Sequence, residues 1–187
     1  MRVVLLMLCS CFLAVTFLSS CTFVYETEIQ ADDSVPDITL EDMEWVRFRR
    51  GDEQAKLEAK QADRFEKIHI MELQNYTFEQ YNTSDNSIDS SGSGGKARIE
   101  LETSNFKMTN TITIDVASEE MSLTAEDLEW YDREKTLQSA PGTQVHITQK
   151  TGTDFLGTGF SADVRARTWL FSSGAEGAYY FDDENEE

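Results

Sequence analysis

The sequence predicts an all-β domain, a single antiparallel sheet laid down as a meander, and three features of residues 121–163 predict it. Met121, Leu123 and Ala125 alternate with polar residues, a two-residue step follows at Glu126-Asp127, and Leu128 and Trp130 resume the alternation. That is the period of a half-buried strand with a kink, apolar on one face and wet on the other. Turn chemistry separates such runs. Asp132-Arg133-Glu134-Lys135 is too polar for a core, and Pro141-Gly142 punctuates the chain before Val145 and Ile147. The spacing apolar-x-small-x-x-apolar of Leu123, Ala125 and Leu128 also returns, as Phe155, Gly157 and Phe160. Upstream it is met as Leu57, Ala59 and Ala62 and as Leu101, Thr103 and Phe106. Such strand-bend-strand rungs stack on one another in repeat-built sheets.

Taken from its start, the chain opens with Arg2 and an apolar run, Val3 to Leu18, short for a bilayer span of about 20 residues. Small residues follow at once, and 1–20 reads as an export signal. Leu18-Ser19-Ser20-Cys21 matches the bacterial lipobox, which makes Cys21 the predicted lipidation site. At about 0.8 kcal/mol per buried methylene, the acyl chains of a mature lipoprotein hold it to a membrane. An uncleaved anchor helix is the alternative, and either tethers the chain. Cys9 and Cys11 would leave with the signal, so Cys21 would remain as the one cysteine and no disulfide could form within the chain. A domain of about 150 residues can be held by its own core. Residues 21–35 read as a polar tether, and Pro36 opens one domain over 36–181.

Within it, Ile38, Leu40, Met43, Trp45, Val46 and Phe48 read as an exposed edge strand, with Arg47, Arg49 and Arg50 on its far side and Gly51-Asp52 as the turn out. Glu53 to Leu73 reads two ways. EQAKLEAKQADRFEK is rich in helix formers, with Ala55, Ala59 and Ala62 near one helical face, whereas Ile68, Ile70 and Leu73 continue a strand pattern. Tyr76, Phe78 and Tyr81 extend the sheet. Asn82 to Lys96, NTSDNSIDSSGSGGK, is a low-complexity polar run that reads as a mobile loop. It lacks the spaced oxygen ligands of a calcium loop. Ala97, Ile99 and Leu101 then pair with Phe106, Met108, Ile112 and Ile114 as a hairpin through Ser104-Asn105 or Thr109-Asn110. Val164 to Phe171 is a late strand, Ser172-Ser173-Gly174 turns, Ala178-Tyr179-Tyr180-Phe181 closes the sheet, and 182–187 is an acidic disordered tail.

The formal charge is −19, from 35 acidic against 16 basic residues, which excludes nucleic acid as a partner class. His69 and His146 are the two imidazoles, each read in an apolar-alternating strand, without a cysteine neighbour or metal-ligand spacing. No nucleophile elbow, zinc-protease helix or phosphate-cradling loop is present. The expectation is a protein that is not an enzyme, with no cofactor and no metal.

The order of the rungs, the phrase L-x-A-E-D-L-x-W-Y-D at 123–132 and the closing G-T-G-F-S-A-D at 157–163 resemble the LptC family and its LptA/OstA-type relatives, over residues 36 to 181. The resemblance implies a single open, twisted antiparallel β-jellyroll after the lipoprotein signal peptide, with two strands and a bend over 53–73. It also implies a non-enzymatic lipid-transport component of the lipopolysaccharide, or related glycolipid, export bridge. Such a protein takes lipid from an LptBFG-like inner-membrane ABC permease and passes it along an apolar groove to a periplasmic LptA-like partner, joined by edge-strand addition. The implied place is the periplasmic face of a diderm cell envelope, lipid-anchored at the inner membrane.

Carried over by position, the gap-free match from Gly51 through Ala59 sets Leu73 at an apolar groove residue. Trp45 and Val46 fall near the mouth, and Trp169 and Tyr180 near the C-terminal end. Core packing is the alternative for each. The loop at 82–96, the acidic tail and the lipid anchor depart from the family pattern, and put in question permease contacts made by an anchor helix. A lipid-anchored structural or surface-exposed β protein with a dry core, acting as an assembly module, would carry the same pattern.

Overall fold

The structure is a computed structural model that describes residues 34–178. The export signal, Cys21, most of the tether, Tyr180 with its neighbours and the acidic tail lie outside the described residues.

Ten strands form one antiparallel sheet: β1 (Ile38–Arg49), β2 (Asp52–Phe65), β3 (Ile70–Tyr81), β4 (Ile88–Glu100), β5 (Phe106–Val116), β6 (Met121–Tyr131), β7 (Thr136–Ser139), β8 (Gln144–Gln149), β9 (Asp154–Asp163) and β10 (Thr168–Ala178). The order is that of the chain, except that β7 and β8 each bridge β6 and β9, as two halves of one rung interrupted at Pro141-Gly142. Among the described residues β1 and β10 each have a single neighbour, so the sheet they form is open with two free edges.

A line of reversed pleat crosses this sheet and explains the two-residue steps in the sequence. Asp42 (φ 48°) on β1 stands opposite Lys60, whose ammonium donates to its carboxylate at 2.7 Å. Lys60 stands opposite Asn75 (φ 49°), and Asn75 opposite Gly95. On β5, Asn110 (φ 66°) and Thr111 (φ 50°) together face Glu126, and Thr111 donates to its carboxylate through N–H and hydroxyl at 3.2 and 3.1 Å. Gly159 (φ 64°) repeats the feature on β9. Asp, Asn and Gly tolerate left-handed backbone better than other residues, so the bend costs least at these positions. The kink expected at Glu126-Asp127 is therefore present, but the extra residue of the bulge belongs to β5.

On either side of the line, the inner face stacks in layers. Ala62, Leu73, Ala97, Met108 and Leu128 lie opposite one another strand by strand, as do Leu57, Phe78, Gly92, Ile114, Leu123, Ile147 and Phe155. Small and large residues alternate from Ala62 to Met108 in the first layer, and Gly92 stands between Phe78 and Ile114 in the second, so there the large side chains fill the space that the small ones leave. The buried core runs from Ala59 on β2 to Phe160 on β9.

Several expectations are corrected. The run at 82–96 is not a loop: the turn is confined to residues 82–87, and Ile88 to Lys96 belongs to β4. The reason is cross-strand packing, since Gly92 stands opposite Phe78 and Gly94 opposite Tyr76. A Cβ at Gly92 would sit 2.5 Å from the Phe78 ring, and one at Gly94 would sit 2.7 Å from Tyr76 Cζ. The rings cover the backbone that the glycines leave bare. The helix propensity of 53–67 is overridden because β2 pairs with a strand on both sides and buries Ala59 and Ala62 between them. Leu101, Thr103 and Phe106 are not a rung, because Leu101 and Thr103 lie in the turn between β4 and β5. That turn passes through Ser104 (φ 59°) and is the hairpin expected at Ser104-Asn105. The turn out of β1 is Arg50-Gly51, both at positive φ, the two-residue geometry that matches strand twist. His69 (φ 53°) lies in the β2–β3 turn rather than in a strand.

Candidate functional site

The inner face of the sheet is where the sequence concentrates its apolar side chains, and its exposure is uneven. In the middle strands it is sealed: Leu73 and Met108 are 1% and 2% exposed, and Ile112 and Leu128 are wholly buried. At β1 the same face is open. Ile38, Leu40 and Trp45 stand opposite Arg64, Ala62 and Leu57 and are 42%, 45% and 47% exposed. An edge strand has a neighbour on one side only, so its inward side chains lack half of the cover enjoyed by those of β2 and β3. The result is a stripe of large apolar residues in contact with water, of the kind that marks an interaction site.

The carried-over groove residues separate accordingly. Trp45 lies on the open stripe. Val46 points to the outer face, where its partner Lys56 pairs with Glu58 at 2.7 Å and Glu44 at 3.4 Å. Leu73 is locked between Ala62 and Ala97 in the sealed region. Trp169, on β10, is half-buried in an aromatic cluster, its ring centroid 5.5 Å from Phe155 and 5.7 Å from Phe171. Trp45 and Trp169 thus stand on the two edge strands, Leu73 between them, and Tyr180 and Cys21 lie outside the described residues.

Two features were missed by sequence reasoning. Arg47 is not on the far side of β1. It pairs with Ala55, two residues from the core-facing Leu57, so it ends the apolar stripe on the inner phase. Its spacing of two from Trp45 was the signal. A bulge then lets Phe48, 60% exposed, follow it. The second is Tyr76, 3% exposed, whose hydroxyl is buried without a hydrogen-bond partner among the described residues. Burial pushes its pKa well above the ordinary phenol value. Tyr76 lies between Ala59 and Gly94 on the neighbouring strands, with its hydroxyl over the glycine, so its burial depends on cross-strand partners that no single strand announces.

Across from the stripe, the β6–β7 turn carries charge. Lys135 donates to Asp132 at 2.6 Å, and this bond, with one from Trp130 Nε1 at 3.3 Å, holds the Asp132 carboxyl below its ordinary range. Arg47 adds to that shift through space, which places its charge within electrostatic reach of the turn. Lys135 also lies 5.7 Å from the Trp130 ring centroid.

The outer face is polar and paired. Lys107 bonds to Glu129 at 3.0 Å and lies 3.4 Å from Asp127, while the Tyr131 hydroxyl donates to Glu129 at 2.7 Å. His146, on the outer face of β8, lies 2.8 Å from Asp154, and His69 lies 3.7 Å from Glu102. Among the described residues no three His, Cys, Asp or Glu side chains converge as a metal site, and no helix is long and apolar enough to cross a membrane.

A family profile described as lipopolysaccharide-assembly, LptC-related, matches residues 2–180. No curated protein matches the sequence. Among solved structures, the fold is similar to the crystal structure of LptH from Pseudomonas aeruginosa, the LptA-homologous periplasmic component of its lipopolysaccharide transport device. The TM-score is 0.54 at 9% identity, covering 67% of this chain and 94% of that one. At that identity the likeness establishes the β-jellyroll fold.

Proposed function

This chain belongs to the LptC-related family of lipopolysaccharide-assembly proteins, and on that premise we propose that it is a non-enzymatic carrier in the lipopolysaccharide export bridge. It accepts glycolipid from an LptBFG-like ABC permease at the inner membrane, where Cys21 anchors it on the periplasmic side. It hands the lipid to an LptA-like partner that adds its own edge strand to this sheet. The observation that carries the reading is the open sheet itself, apolar on one face from β1 to β10 and, among the described residues, unpaired at both ends. An acyl chain crossing an aqueous gap needs a lining, because each Å² of apolar surface removed from water is worth about 25 cal/mol. Free edges offer the backbone groups through which a second sheet continues the lining.

Leu73, at 1% exposure, favours a second reading, an assembly module with a dry core that uses its edges alone. Photocrosslinking in cells decides between them, with photoreactive residues at Trp45, at Leu73 and at the outward Glu100 as control. The carrier yields a glycolipid adduct at Trp45 or Leu73 and none at Glu100. A folded, anchored protein with no lipid adduct at either inner position is the assembly module.

A further inference from the structure

We propose that Arg47, with Arg49 and Arg50 beside it, holds the anionic headgroup of a phosphorylated, acylated lipid whose hydrocarbon lies along the open stripe of β1. The proposal rests on the carrier reading and names where on the sheet the lipid sits and which end of it is recognised.

Three observations converge. The stripe from Ile38 to Trp45 is solvent-exposed and apolar. At about 3.3 Å per residue it runs roughly 23 Å, longer than one leaflet of a hydrocarbon core about 30 Å thick. A membrane-lipid acyl chain therefore fits along it. The stripe ends in cations rather than in the carboxylates that dominate a chain of charge −19. These arginines are also unspent. Lys56, Lys60, Arg98, Lys107 and Lys150 each hold a carboxylate within 3.0 Å. Arg47, Arg49 and Arg50 are exposed, and among the described residues none is in an ion pair or side-chain hydrogen bond. The carboxylates nearby are Asp132, which Arg47 senses through space, and Asp52 and Glu53, cross-strand from Arg49 and Phe48. Asp132 is already bonded to Lys135.

Guanidinium groups match phosphate oxygens with parallel N–H donors. Lys96, Arg133 and Arg167 are exposed cations too, but they do not end this stripe. With a net charge of −19 on the chain as a whole, an amphiphile on the stripe is oriented as well as bound, chains toward Ile38 and phosphate toward the Arg50-Gly51 turn. Trp45 and Phe48 supply the rings that sit at a boundary between hydrocarbon and headgroup.

The test uses the full-length anchored protein with a photoreactive residue at Trp45. The probes are purified lipopolysaccharide and the same material stripped of phosphate. The expected result is a Trp45 adduct with phosphorylated lipid that falls about tenfold in the triple variant Arg47→Gln, Arg49→Gln, Arg50→Gln, and a weak adduct with stripped lipid that the variant leaves unchanged. The three side chains are exposed, so thermal melting of the variant should match wild type. An undiminished adduct in the variant, or equal adducts with both probes, overturns the headgroup assignment and leaves the carrier reading standing. No adduct at Trp45 or Leu73 in the wild type overturns both.

Discussion

Replacing Gly94 by alanine separates the strand assignment of residues 88–96 from a mobile loop by the sign of its effect. In a loop free to choose its backbone, Gly→Ala restricts the unfolded chain and stabilises by about 0.4–1 kcal/mol. In β4 the new methyl would meet the Tyr76 hydroxyl, with ring carbons Cζ and Cε1 at 2.7 and 2.9 Å. These distances are well inside van der Waals contact, and the ring, 3% exposed, has no space to swing into. Overpacking of this kind costs about 1–3 kcal/mol. For a domain of this size that is a fall in Tm of roughly 2–12 °C at about 2–4 °C per kcal/mol. Circular-dichroism melts of wild type and Gly94→Ala read it directly. Repeating the substitution in a Tyr76→Ala background removes the clashing ring, so the penalty of the second methyl should largely vanish. A Gly94→Ala variant as stable as wild type, or more so, would refute the pairing of Gly94 under Tyr76 and with it the strand.

Tyr76→Phe deletes a buried hydroxyl that has no partner among the described residues, so it should leave stability unchanged or raise it by up to about 1 kcal/mol; a clear loss in urea titration would show that the hydroxyl is bonded. Asn75→Val places a β-branched residue at φ 49° and should cost about 1–2 kcal/mol, while Asn75→Gly should be near neutral. Equal melting of the two would remove the argument for the pleat reversal. The Glu129 carboxyl is held low by hydrogen bonds from Tyr131 and Lys107. Its folded pKa lies below the unfolded value of about 4.3, so its contribution is present above that pH and is lost as pH falls through the folded pKa. Lys107→Ala should therefore flatten the acid limb of Tm against pH between about pH 5 and 3, by well under 1 kcal/mol for so exposed a pair. An unchanged acid limb would mean that the pair contributes nothing.

The amino-acid sequence by itself determined that this is a sheet, where it bends and which family it joins. Alternation and the two-residue steps are properties of one strand at a time, so Leu123, Ala125 and Leu128, or Phe155, Gly157 and Phe160, announce both face and kink without reference to neighbours. Asp42, Asn75, Asn110 and Gly159 fall within those steps because left-handed backbone selects them locally. The tertiary structure decided everything that depends on what lies alongside. A Ser/Gly run has no side chains to declare a strand, and becomes one because Phe78 and Tyr76 on β3 lie across it. An Ala-rich, helix-prone stretch is held extended by partners on both sides. The candidate site divides the same way. Trp45 and Leu73 are both inward-facing apolar residues in a linear reading, and only the sheet order leaves one at an open edge and seals the other in the core. Exposure and register are non-local quantities, fixed by which strand is left without a neighbour.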